Sequence, residues 1–77
     1  MELFQAYEKL KHAKGITEVL SILRELKATY TTVDIHLIPM NLKDPLSDMY
    51  KLTVKLDKDG WFLPIGKGTY DILKEVL

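Results

Sequence analysis

Between Tyr50 and Ile65 the chain reads YKLTVKLDKDGWFLPI. Tyr50, Leu52, Val54 and Leu56 alternate with Lys51, Thr53, Lys55 and Asp57, the two-residue period of a strand with one buried face. Asp57-Lys58-Asp59-Gly60 predicts a turn, with Gly60 supplying a positive φ at its last position, and Trp61 to Ile65 returns as a second strand. A four-residue loop sets Leu56 opposite Trp61, Val54 opposite Leu63 and Leu52 opposite Ile65. A three-residue loop with a bulge instead opposes Leu56 to Phe62 and Val54 to Pro64. Because a one-residue slip carries a whole apolar set to the wrong face, the first register is the expected one.

The amino-terminal third has a different period. Over residues 2–13, Leu3, Phe4, Tyr7 and Leu10 fall at helical spacing, with Glu8, Lys9, Lys11 and His12 on the other side. Gly15 stands where a helix takes a left-handed residue after its last turn, and Lys11, His12 and Lys14 suit the negative end of the dipole. Thr17 is the expected cap of a second helix over residues 18–29, whose stripe is Val19, Ile22, Leu23 and Leu26. The short link makes the two an αα-hairpin.

From Tyr30 to Ile38 the period returns to two, with Val33, Ile35 and Leu37 between Asp34 and His36, and Pro39 ends the strand. Met40 to Met49 is a long connection rich in apolar residues. Gly66-Lys67-Gly68 is a joint, Thr69 a cap, and residues 70–77 a closing helix with Tyr70, Leu73, Val76 and Leu77 inward and Ile72 alongside. So short a helix must dock to exist. The expected fold is α+β, in the order ααβββα, with a three-stranded antiparallel sheet and helices packed on one face; residues 1–77 form a single small domain. The other face is expected to carry Asp34, His36, Lys51, Thr53, Lys55 and Phe62.

Composition narrows the function classes. Forty-seven per cent hydrophobic residues is globular composition, and the absence of cysteine removes disulfides and thiolate metal sites. Eleven basic and eleven acidic residues give zero formal charge, which weighs against a dedicated nucleic-acid binder. No apolar run has the length of a membrane span and no export signal is visible, so a soluble, cytoplasmic protein is expected.

Catalytic and ligand motifs are sparse. Asp34 and His36 share one strand face, but no nucleophile accompanies them, and they read as a solvated polar face. Asp57-Lys58-Asp59-Gly60 lacks the glutamate an EF-hand needs at its twelfth position, which here is Gly68. Gly66-Lys67-Gly68-Thr69 differs from the order of a phosphate-binding P-loop. As a DNA-binding helix-turn-helix, the first two helices would place Lys11, Lys14 and Ser21 at packing positions. The expectation is no enzyme, no cofactor and no metal.

Residues 17–77, in the order αβββα with Gly66-x-Gly68-Thr69 entering the last helix, resemble the double-stranded RNA-binding domain. The resemblance implies a module that grips duplex minor grooves and the phosphates between them. The family's Lys-Lys-x-Ala-Lys run is here Tyr70-Asp71-Ile72-Leu73-Lys74, and the loop between the first two strands lacks its histidine. Lys51, Lys55, Lys67 and Lys74 are the cations such an interface would use, with Phe62. The principal expectation is different: a non-catalytic module for protein–protein interaction or self-association, through an exposed apolar loop or a sheet edge. Its candidate contacts are Met40, Leu42, Leu46, Trp61 and Phe62, residue types that partner surfaces favour.

Overall fold

The computed structural model describes residues 1–40 and 49–77. The elements are α1 (Leu3–Lys11), α2 (Ile16–Thr29), β1 (Asp34–Pro39), β2 (Tyr50–Leu56), β3 (Asp59–Ile65) and α3 (Lys67–Val76). The sheet is an antiparallel meander with β2 in the middle. This is the small α+β fold in the expected order, with the helices on one face.

One layer holds the core. Leu3, Ala6 and Leu10 of α1, Leu23 and Leu26 of α2, Leu52 and Val54 of β2 and Leu73 of α3 are buried together. The central strand contributes two of these because the middle of its inner face is covered, whereas Val33, Ile35, Leu37, Leu56, Leu63 and Ile65 form a half-buried margin. Helix α3 docks through Leu73 and through Tyr70, whose ring stacks on Tyr50 with centroids 4.0 Å apart and planes inclined by 17°. Val76, Leu77 and Ile72, expected inward or beside the inward set, are exposed: one turn of a short helix reaches the core and the rest runs past it.

The helix ends also differ from expectation. Helix α1 stops at Lys11 with His12 as its C-cap, so Gly15 is not a left-handed terminator. Gly15 is extended (φ −175°, ψ 173°) and caps α2, its carbonyl accepting from the Val19 amide at 3.2 Å. Thr17 therefore lies inside the first turn, and the carboxylate of Glu18 reaches back to accept from the Lys14 amide at 2.7 Å. In the same way Gly66, not Thr69, caps α3.

The hairpin has a two-residue turn, Asp57-Lys58, and neither expected register is realised. Leu52 pairs with Leu63, Val54 with Trp61, Lys55 with Gly60 and Leu56 with Asp59. The shift from the expected pairing is two residues, so every side chain keeps its face. Gly60 is not the positive-φ residue; Asp57 is (φ 54°), in the left-handed region that aspartate tolerates better than most side chains. Gly60 is needed for a different reason. A Cβ there would sit 2.9 Å from the Val54 carbonyl oxygen.

Candidate functional site on the open face of the sheet

Strand alternation sends Asp34, His36 and Ile38 of β1, Lys51, Thr53 and Lys55 of β2, and Gly60, Phe62 and Pro64 of β3 to the face away from the helices. The pairing arranges them in cross-strand rows: Asp34, Lys55 and Gly60; His36, Thr53 and Phe62; Ile38, Lys51 and Pro64. Met40 and Met49 continue the ladder, the Met40 amide donating to the Met49 carbonyl at 3.0 Å, and add a fourth row. No described helix covers this face. Its apolar members are open to solvent: Met49 55%, Phe62 51%, Ile38 40% and Met40 39% exposed.

The face is thus graded. One end is charged, with Asp34 opposite Lys55, and the other is thioether and aliphatic. Between them the Lys51 ammonium lies 5.3 Å from the centre of the Phe62 ring, a cation–π contact. Asp34 and Lys55 are direct neighbours but are not closed into an ion pair with each other. At the centre, the Thr53 hydroxyl oxygen is buried without a hydrogen-bond partner among the described residues.

Neither edge offers a full row of donors. The Met40–Met49 hydrogen bond fixes which β1–β2 pairs are the bonded ones, so Ile35, Leu37 and Pro39 aim their backbone groups outward. By the same alternation Gly60, Phe62 and Pro64 point away from β2 on the other edge. A proline therefore occupies each outward row and removes a donor from it, a common way of blunting a free edge.

The candidate residues separate accordingly. Trp61 and Phe62 go to opposite faces: Trp61 packs inward, its indole N–H donating to the Leu3 carbonyl at 2.9 Å and its ring 5.2 Å from that of Tyr7, whereas Phe62 stands outside. Met40 joins Phe62 on the open face; Leu42 and Leu46 lie outside the described residues. Lys51 and Lys55 share the open face, but Lys67 and Lys74 belong to α3 on the covered side, so the four cations are not brought together. Ile38, Met49 and Pro64 were missed. For Ile38 the signal was present, since the polar side of β1 turns apolar as Asp34-x-His36-x-Ile38-x-Met40.

A shallow groove of about 540 Å³ between α1 and α2 is lined by residues including Glu8, His12, Glu18 and Ile22. Its carboxylates are occupied: Glu8 pairs with Lys11 at 3.7 Å and Glu18 accepts from the Lys14 amide. Among the described residues, no three His, Asp or Glu side chains converge as a metal site, and no helix is long and apolar enough to cross a membrane. Comparison with protein-family models, with curated proteins and with solved structures finds no match for this chain.

Proposed function

We infer that the protein is a non-catalytic binding module whose contact surface is the open face of the sheet, and that its partner is a polypeptide. The observation that carries this reading is the group of exposed apolar side chains, Ile38, Met40, Met49 and Phe62, gathered on one face of a domain otherwise short of core. Methionine and aromatic residues are enriched where proteins meet. The prolines in both outward rows favour the face over the edge. Nucleic acid is the lesser reading, because only Lys51 and Lys55 of the four candidate cations share a surface with Phe62.

Replacement of Phe62 by photoreactive p-benzoylphenylalanine, with the same replacement at exposed Glu25 of α2 as control, tests the reading in the native host. The expected result is a polypeptide adduct from position 62 and none from position 25. An adduct sensitive to ribonuclease would support the RNA reading instead, and absence of any adduct from position 62 would overturn both.

A further inference from the structure

We propose that the polypeptide received by the open face is a second copy of this chain, in a weak, closed dimer whose two sheets pack face to face about a dyad running along the strands between β1 and β2. The inference rests on the reading above that the face binds polypeptide, and goes on to name the occupant.

Four features of the face select this arrangement. The first is charge. A dyad placed over β2 would set Lys51 on the partner's Lys51 and Lys55 on the partner's Lys55, like charges brought together as water is removed. Moving the dyad half a strand towards β1 exchanges β1 and β2 across the interface. Asp34 then meets the partner's Lys55 and Lys55 meets the partner's Asp34, both contacts produced by one symmetry operation. Aligned sheets cross by about 30°, so the end rows are displaced sideways, and the length of the lysine side chain spans the displacement.

The second feature is the central row. The same operation lays His36 over the partner's Thr53, setting an imidazole on a small uncharged side chain, so no like charges oppose each other at the centre. The third is the apolar end, where Met40 lies over the partner's Met49 and Ile38 over the methylene stem of the partner's Lys51. Phe62 and Pro64 of β3 become the rim. The fourth is closure. With Pro39 and Pro64 in the outward rows of the two edges, strand-by-strand growth is disfavoured, and a face-to-face pair uses up the sheet face that no described helix covers. Zero formal net charge leaves no long-range repulsion between copies.

The area sets the strength. Roughly ten side chains per protomer cover about half of what a standard interface buries, which places the dimer among transient complexes with a dissociation constant in the high-micromolar range.

The test is sedimentation equilibrium of the full chain across micromolar to millimolar concentration, with Asp34→Lys, Lys55→Asp, the double exchange and Met49→Glu. The expected result is a monomer–dimer equilibrium weakened about tenfold or more by each single charge reversal, restored to within about threefold by the double exchange, and lost in Met49→Glu. Circular dichroism on every variant checks that the monomer is folded; should a charge variant unfold, Met49→Glu and amide exchange carry the test. In the dimer, the outward amides of Ile35, Leu37, Gly60 and Phe62 should exchange as fast as in the monomer. A chain monomeric at millimolar concentration, a double exchange no better than the singles, or an edge whose amides become protected on association would each overturn the dimer. Monomeric behaviour together with a polypeptide adduct at position 62 would do so while leaving the binding reading intact.

Discussion

The indole nitrogen of Trp61 in β3 donates a 2.9 Å hydrogen bond to the carbonyl oxygen of Leu3 in the first turn of α1, across 58 residues of sequence. The bond ties the start of the chain to an edge strand, and the Tyr7 ring packs 5.2 Å away beside it. It also settles which of two adjacent aromatics belongs to the core. Trp61→Phe keeps most of the ring packing and removes the donor, so it should cost about 1 kcal/mol in urea unfolding. In the parent, the indole proton should exchange slowly. A fast-exchanging indole would show that the bond does not persist in solution.

Gly60 and Gly68 should respond in opposite directions to the same substitution. A methyl group at Gly60 meets the Val54 carbonyl at 2.9 Å, a backbone atom that cannot turn aside, and Gly60→Ala should destabilise by about 1–3 kcal/mol. At Gly68, within the first turn of α3, a Cβ meets nothing within 4 Å. Gly68→Ala should stabilise by up to about 1 kcal/mol by lowering the entropy of the unfolded chain. Thermal melts of the two variants give the comparison directly.

Truncations should follow burial rather than strand membership. Leu23 and Leu52 are fully buried and each should cost about 2–5 kcal/mol on replacement by alanine, a large share of the stability of so small a domain. Leu56, half-buried at the hairpin end opposite Asp59, should cost distinctly less. Denaturation midpoints that rank Leu56→Ala with Leu52→Ala would place the core boundary elsewhere.

The Tyr50–Tyr70 stack should couple α3 to the sheet. Tyr50→Leu and Tyr70→Leu, with the double variant, should give an interaction energy of about 0.5–1.5 kcal/mol. Either single variant should also speed amide exchange in α3 before the rest of the molecule, since Leu73 is the one fully buried residue of that helix.

Much of the architecture is legible because it is local. The alternation in Tyr50–Leu56, the helical stripe through Leu23 and Leu26, and the break at Pro39 each need only a few neighbouring residues to be read. Caps were less legible. Gly15 and Gly66 are compatible with several backbone conformations, and the observed one depends on where the preceding element ends. Within the open face, Phe62 and the polar residues follow from strand period, but Met49 and Pro64 join it only once pairing aligns three strands.

Taken by itself, the sequence determined the kind and order of the elements and the face on which each strand residue lies, because side-chain direction in a strand has period two and survives a register shift of two. Tertiary structure alone decided that shift, which sets Gly60 against the Val54 carbonyl; the anchoring of Trp61 to the Leu3 carbonyl; and the separation of Lys51 and Lys55 from Lys67 and Lys74 by the thickness of a sheet. The last two depend on parts of the chain far apart in sequence that only packing sets in place, and the first on a turn geometry that the strand period leaves open.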